Sequence, residues 1–228
     1  MAKRTAATLG RIPMNYLLRY RQAIEVLDRP LTSEDGLPDI EIVMGEQRLG
    51  VRLPRALREY YGIAGRLDLN RAHNQLYTPH EWFVDAGKFV FMEENQEVVY
   101  WGIPISEEVG DDPPVSQGVN VVDQPIDWHP EHGACSEFLL VMLHWQAVCG
   151  GMKFTGSADI SPKALTLIRA TWSLVGEVSE LWAFASDGKA ACVLGVGETR
   201  QLFVGARTQQ DFNAINAELA GMDIKLRP

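Results

Sequence analysis

Long apolar runs and a recognisable export signal are missing from this chain of 228 residues. The longest nearly uninterrupted apolar run, Phe138 to Leu143, is far shorter than the roughly 20 residues that a membrane-spanning helix needs. The beginning of the chain, Met1 to Asn15, contains charged and turn-forming residues instead of the apolar core of a signal peptide. We therefore expect a cytoplasmic protein that does not associate with a membrane.

Cysteine is scarce, with three residues in the whole chain. Cys135, Cys149 and Cys192 are odd in number, widely spaced and set among apolar neighbours. This pattern is typical of reduced, buried thiols and argues against a disulfide framework.

Lysine and arginine are absent from the middle of the chain. Between Phe89 and Met152 there is neither, although the chain's average frequency predicts about six. The residues before this stretch hold 13 basic and 11 acidic side chains, and those after it hold eight of each. The net charge of −9 therefore belongs to the middle, which we call the acidic segment (residues 89–152). Its acidic residues are Glu93, Glu94, Glu97, Glu107, Glu108, Asp111, Asp112, Asp123, Asp127, Glu131 and Glu137.

The charge of this segment has two interpretations. It can be a solvated surface that maintains solubility, or a field that steers a basic protein into contact. The proline-containing loops of the segment favour the second interpretation. A pI near 5.1 argues against direct binding to nucleic acid, because that partner requires a basic surface.

Hydrophobic periodicity and turn residues predict helices that alternate with hairpins. Helices are predicted over residues 15–27, from Pro54 to Gly62 or Gly65, and over residues 78–83, 137–149, 161–175 and 208–221. Strands are predicted at Glu41 to Met44, Lys88 to Met92, Val98 to Ile105, Leu181 to Ala185, Ala190 to Val196 and Leu202 to Ala206. The second and third of these flank the acidic tip Glu93 to Glu97. This order predicts an α+β fold with a mainly antiparallel mixed sheet flanked by helices.

Metal and catalytic motifs are incomplete. His129-Pro130-Glu131 matches the first half of a zinc deaminase signature, but the Pro-Cys-x-x-Cys half is absent. His132 and Cys135 extend it to His-x-x-His-x-x-Cys, where an ordinary polar turn is the simpler interpretation. An enzyme with an unrecognised site around these residues remains an alternative.

Other chemical signatures are missing altogether. Asp111-Asp112 lacks the further ligands that Mg²⁺ needs, and His80-Glu81 lacks the second histidine of a zincin, because Val84 stands there. No nucleophile elbow or phosphate-binding loop is present. We expect no enzyme activity, no cofactor and no bound metal.

The tryptophans divide into two groups. Trp101, Trp145 and Trp172 lie in apolar strand or helix patterns, which predicts core packing. Trp82 and Trp128 border loops and are the more plausible surface anchors for a partner.

Several short motifs resemble one family. They are Leu53-Pro54-x-x-Leu57-x-x-Tyr60-Tyr61 with Gly65, Leu76-x-x-Pro79-x-Glu81-Trp82, Phe89-Val90-Phe91-x-Glu93-Glu94-Asn95-Gln96, Trp101-Gly102-Ile103, Asp111-Asp112-Pro113-Pro114-Val115 and Ser136-Glu137-Phe138-Leu139. Together they are similar to the SUKH superfamily, the bacterial relatives of a yeast cell-wall-assembly regulator. The likeness covers roughly residues 45–150.

The resemblance implies an α+β domain without catalytic residues, used as an immunity protein that binds and neutralises a cognate toxin of a contact-dependent or polymorphic system. We expect a single domain over residues 1–228, with a SUKH-like core at 30–150. Residues 151–228 would extend the same sheet or form an added lobe. The alternative is a regulatory protein-binding scaffold without a toxin partner.

The acidic segment and the resemblance lead to one hypothesis about the binding surface. A nuclease toxin presents a basic substrate-binding surface, which carboxylates can occupy in place of phosphates. The expected partner-binding residues are Glu93, Glu94, Glu97, Glu107, Glu108, Asp111 and Asp112, with Trp128 or Trp82 as an apolar anchor. Reversing the charge of the last four carboxylates is expected to abolish protection and leave the fold intact.

Overall fold

The computed structural model describes residues 15–106 and 110–227. Within them the chain forms six α-helices and two antiparallel sheets, which confirms the predicted α+β class. The helices are α1 (Tyr16–Leu27), α2 (Asp39–Leu49), α3 (Arg55–Ala64), α4 (Cys135–Gln146), α5 (Pro162–Thr171) and α6 (Gln209–Ala220). The strands are β1 (Gln75–Leu76), β2 (Phe83–Asp85), β3 (Lys88–Glu93), β4 (Val99–Pro104), β5 (Pro114–Val119), β6 (Asp127–Ala134), β7 (Phe154–Ile160), β8 (Ser173–Val178), β9 (Leu181–Ser186), β10 (Lys189–Val196) and β11 (Thr199–Ala206).

The first sheet has the strand order β1-β3-β4-β5-β6, and β2 also pairs with β3. The predicted hairpin with an acidic tip is confirmed as β3 and β4. Because all neighbours are antiparallel, the β3–β4 turn and the β5–β6 connection lie at the same end of the sheet. We call this the hairpin end. The β4–β5 connection lies at the opposite end, which we call the far end.

The second sheet has the order β7-β11-β10-β9-β8. Its central hairpin turns at Asp187 and Gly188, whose φ angles of 38° and 78° match the two-residue turn that the sequence predicts. The predicted strand Leu202 to Ala206 is confirmed as part of β11. Near the end of the chain, the backbone of Arg227 forms two hydrogen bonds with Ser157 of β7, of 2.7 and 2.8 Å. The residues after Met152 thus build a sheet of their own.

Helix α4 packs between the two sheets. On one side, the ring of Phe138 contacts Phe91 and Trp101 of the first sheet at 5.8 and 5.7 Å between centroids. On the other side, Val141 lies against Gly176 of β8, where a Cβ atom would approach to 3.1 Å. Ten of the twelve residues of α4 are buried, which confirms the prediction of a helix buried on most sides.

Helix α1 is fixed at both ends by side chains. The Asn15 side chain accepts a 3.0 Å hydrogen bond from the Leu18 backbone, as expected of an N-cap. At the other end, Arg207, which directly follows β11, donates to the carbonyl oxygens of Asp28 and Glu25, at 2.8 and 3.2 Å. These bonds satisfy carbonyls that the helix leaves without partners and tie α1 to the second sheet.

Two of the predicted elements are wrong. The strand expected at Glu41 to Met44 lies inside α2, which has Asp39 in its first turn and ends at Gly50 in the left-handed conformation, with φ 66°. The helix expected from Thr78 to Phe83 is a single turn, because the chain becomes extended at Phe83 and pairs with β3.

The helix that begins after Ser161 is shorter than predicted. It ends at Thr171 and not near Val175, because Trp172 is extended and the following residues pair with β9. The Ser161 side chain accepts a 3.2 Å hydrogen bond from the Ala164 backbone, which confirms the predicted cap. Within the described ranges, no helix combines the length and apolar composition needed to cross a bilayer.

Candidate partner-binding surface

The structure divides the predicted partner-binding residues between the two ends of the first sheet. Glu93, Glu94 and Glu97 surround the hairpin end, whereas Asp111 and Asp112 lie at the far end. Strand β4 runs between the two groups, and its six residues span about 17 Å. Glu107 and Glu108 lie outside the described residues. The five described carboxylates of this set therefore do not converge on a single small patch.

The β3–β4 turn holds three carboxylates in different settings. Glu93 accepts a 2.5 Å hydrogen bond from the Tyr77 hydroxyl, and burial together with this bond raises the pKa of Tyr77. Glu94 accepts a 2.8 Å bond from the Gln96 backbone, which shapes the turn. Glu97 is exposed and has a positive φ of 61°. Hydrogen bonds thus hold the side chains of Glu93 and Glu94, whereas the Glu97 side chain extends into solvent.

The β5–β6 connection and the first residue of β6 add two acidic residues to the hairpin end. Asp123 and Asp127 are both exposed, and Asp127 lies 3.1 Å from the Nε2 atom of His129. The Asn120 side chain donates a 2.7 Å hydrogen bond to the Glu97 carbonyl, which ties this connection to the neighbouring turn. Glu93, Glu94, Glu97, Asp123 and Asp127 all lie at the hairpin end, and none of them forms an ion pair with a lysine or arginine of the described chain.

At the far end, Asp112 has a structural role. Its carboxylate oxygens accept hydrogen bonds from the backbone and hydroxyl of Ser136, at 2.7 and 2.6 Å. These bonds satisfy donors in the first turn of α4 and place a negative charge at its positive end. Asp111 is exposed, and its carbonyl accepts a 2.9 Å bond from Ala56 at the start of α3. This loop joins the starts of two helices, so a charge reversal at Asp112 acts on the fold as well as on a partner.

The two tryptophans considered as anchors have different positions. Trp82 is buried, with 1% of its surface exposed, and its indole N–H donates to the Tyr61 hydroxyl and the Tyr77 carbonyl at 2.9 and 3.0 Å. The prediction that it lies at the surface is therefore wrong. Trp128 is half-buried on the first sheet, and its indole N–H donates a 2.7 Å bond to Asp85. Trp128 is the anchor candidate that remains accessible.

Of the three tryptophans predicted to pack in the core, two are buried and one is partly exposed. Trp101 and Trp172 are buried, which confirms the prediction for both. Trp145 is partly exposed near the hairpin end, where its ring lies edge-on to Phe203 at 4.9 Å and to His73 at 5.8 Å. Burial lowers the pKa of His73 against the opposing effect of Glu94, so this ring is mostly neutral at neutral pH.

The residues of the incomplete metal motif do not form a site among the described side chains. His129 is exposed, whereas Glu131 is buried and accepts hydrogen bonds from the Trp101 indole, at 3.3 Å, and from the Ser179 hydroxyl. Burial raises the pKa of Cys135 well above its usual range, which disfavours the thiolate needed as ligand or nucleophile. No group of three His, Cys, Asp or Glu side chains in the described ranges could hold a metal ion.

The three cysteines are free. Cys135 and Cys192 are buried, as predicted, while Cys149 is partly exposed. Burial raises the pKa of Cys149 to about 12, so its thiol stays protonated near neutral pH.

Comparison of the chain with protein-family models, with curated proteins and with solved structures finds no match.

Proposed function

We propose that this chain is a non-catalytic immunity protein that binds and neutralises a cognate bacterial toxin in the cytoplasm. The observation that carries the proposal is the group of five carboxylates at the hairpin end, which form no ion pair with a lysine or arginine of the described chain. The resemblance of residues 45–150 to the SUKH superfamily supports the same function. The partner surface would be basic, as in a nuclease toxin.

Electrostatics gives these carboxylates a defined role. Charges at a protein surface act over a Debye length of about 8 Å at physiological salt, so neighbouring carboxylates produce one shared field. Such a field raises the rate at which a basic partner associates and fixes its orientation, whereas buried aromatic contacts limit dissociation. Binding should therefore weaken as salt is added, chiefly through slower association.

The test compares two triple variants of equal charge. One carries lysine in place of Glu94, Glu97 and Asp123 at the hairpin end, and the control carries lysine at Glu25, Glu34 and Glu198, which are exposed elsewhere. Each variant is purified, its association with the purified product of the neighbouring gene is measured by surface plasmon resonance, and its protection of cells that express that product is assayed.

We expect the hairpin-end variant to associate at least about tenfold more slowly and to lose protection, because the steering field is reversed. The control should associate within about twofold of the unaltered chain. If association slows equally in both variants, the net charge of the chain controls binding and the hairpin end has no special role. Normal protection by the hairpin-end variant would overturn the proposal.

A further inference from the structure

The outer face of the first sheet carries three partly exposed aromatic side chains. Trp101 points inward to α4, so its strand neighbour Tyr100 points outward. Tyr100 is opposite Gly118, which is in turn opposite Trp128, and paired residues share a face. Phe83 lies edge-on to Tyr100 at 5.5 Å between ring centroids. Phe83, Tyr100 and Trp128 therefore share one surface, which we call the aromatic face.

Two glycines let Trp128 lie close to the sheet. A Cβ atom on Gly118 would lie 2.9 Å from the indole ring, and one on Gly102 would lie 3.1 Å from it. The hydrogen bond from the indole N–H to Asp85 fixes the ring in this position. The ring is ordered before any partner arrives, which lowers the entropy lost on binding.

Carboxylates border the aromatic face. The Asp85 carboxylate accepts the hydrogen bond of the Trp128 indole and so lies directly beside that ring. Glu93 is opposite Tyr100 in the β3–β4 pair, and the Asn120 side chain donates to both the Glu97 carbonyl and the Tyr100 hydroxyl, at 2.7 and 3.3 Å. Lys88 is the one lysine or arginine in the six described strands of this sheet, and its Cβ lies beside Gly102 on the aromatic face. Aromatic rings and negative charge thus occur together.

We propose that the aromatic face is the docking surface for the basic partner, and that it receives arginine side chains. This inference rests on the proposed function and adds the place and chemistry of contact. A guanidinium stacks on an aromatic ring while its N–H groups bind carboxylates, and the aromatic face offers both. Phosphates and a second copy of this acidic chain would be repelled, so charge complementarity selects a basic protein segment.

The first experiment uses a synthetic octa-arginine peptide as the probe and the full chain labelled with ¹⁵N. The six indole N–H signals give built-in controls, because Trp82 and Trp182 are buried while Trp128 lies on the aromatic face. At low salt we expect saturable shifts of the Trp128 indole and of the amides of Tyr100 to Gly102 and of Gly118. Shifts confined to residues 94–97 and 123, or shifts that follow protein concentration as in self-association, would overturn the docking surface.

The second experiment compares Tyr100→Ser with Phe154→Ser, a partly exposed aromatic residue on the second sheet. Tyr100→Ser should weaken octa-arginine binding at least about threefold, because one cation–π contact is lost, and Phe154→Ser should not. Octa-lysine should bind more weakly than octa-arginine, since an ammonium lacks the planar stacking geometry. Equal affinity of both variants, each with an unaltered circular dichroism spectrum, would overturn the proposal.

The two proposals fail in different ways. If the hairpin-end variant loses protection but the Trp128 signal never moves, the immunity function stands and the aromatic face is rejected. If the peptide binds the aromatic face but the chain gives no protection against the neighbouring gene product, the docking surface stands and the immunity function is rejected.

Discussion

The side chain of Gln146 binds the backbone of Asn74 as a neighbouring strand would. Its Oε1 atom accepts a 2.8 Å hydrogen bond from the Asn74 N–H, and its Nε2 atom donates a 2.7 Å bond to the Asn74 carbonyl. The same amide also accepts from the His73 N–H and donates to the Asn70 carbonyl, each at 2.8 Å. One buried side chain at the end of α4 thus satisfies four backbone groups of the segment before β1.

Replacing Gln146 with leucine should lower the free energy of unfolding by about 3 to 5 kcal/mol, because buried backbone groups lose their partners. Urea unfolding followed by circular dichroism measures this change. Gln47→Leu on the exposed side of α2 is the matched control and should change stability little. Equal stability of both variants would show that water replaces the amide at no cost.

His144 should make the protein less stable in mild acid. Burial lowers the pKa of this histidine from 6.5 to about 4, although its bond to the Leu140 carbonyl opposes the shift. Between these pH values the unfolded chain binds a proton that the folded chain does not, so stability falls as pH falls from 6.5 to 4. The loss amounts to about 3 kcal/mol and is complete near pH 4.

Denaturant unfolding from pH 7 to 4 measures this effect, and His144→Gln, which does not titrate, serves as the reference. The unaltered protein should lose more stability than the variant over this range. Parallel curves for the two proteins would rule out His144 as the source.

Two helical glycines should respond in opposite directions to alanine. A Cβ atom at Gly45 in α2 would lie 2.5 Å from the buried Trp82 ring, whereas one at Gly62 in α3 meets nothing within 4 Å. Gly45→Ala should therefore destabilise the protein by about 1 to 3 kcal/mol through overpacking. Gly62→Ala should stabilise it by up to about 1 kcal/mol, since alanine favours the helix. Thermal unfolding of both variants checks the contrast, and a shift of the same sign in both would contradict it.

Asp112 and Asp111 are adjacent in sequence but should differ in their effect on stability. Asp112→Ala removes both acceptors of Ser136 at the start of α4 and should cost about 1 to 2 kcal/mol. Asp111→Ala removes an exposed side chain and should change stability little. Chemical denaturation measures the free energy of unfolding of both variants. Equal values for Asp112→Ala and Asp111→Ala would show that Asp112 does not cap α4.

Much of the fold can be predicted from local pattern. Helix α4 and the hairpin of β9 and β10 have strong apolar runs and clear stop or turn residues. Strand β6 has none of these features, because it contains His129, Pro130 and Gly133 and no β-branched residue. It exists because β5 supplies hydrogen-bonding partners, and its position at the edge of the sheet tolerates a proline.

The candidate site likewise depends on contacts between residues that are distant in the sequence. The absence of basic residues is visible in the sequence, and so are the acidic turn and Trp128. The separation of Glu97 from Asp111 is not visible, because it depends on the antiparallel order of β3, β4 and β5. The burial of Trp82 depends on Gly45, which lies 37 residues earlier, and no local pattern links the two.

Helix α4 packs against both sheets at once and joins them in one hydrophobic core. This shared core determines how much of the chain folds as one unit. The larger hydrophobic cluster includes Val178, Leu181 and Ala183 from the second sheet together with Phe138 and Val141 of the helix. A fragment that stops at Gly151 would leave one side of the helix in water and would be prone to aggregate. Denaturation of the whole chain should consequently proceed as a single cooperative transition, with neither half melting ahead of the other.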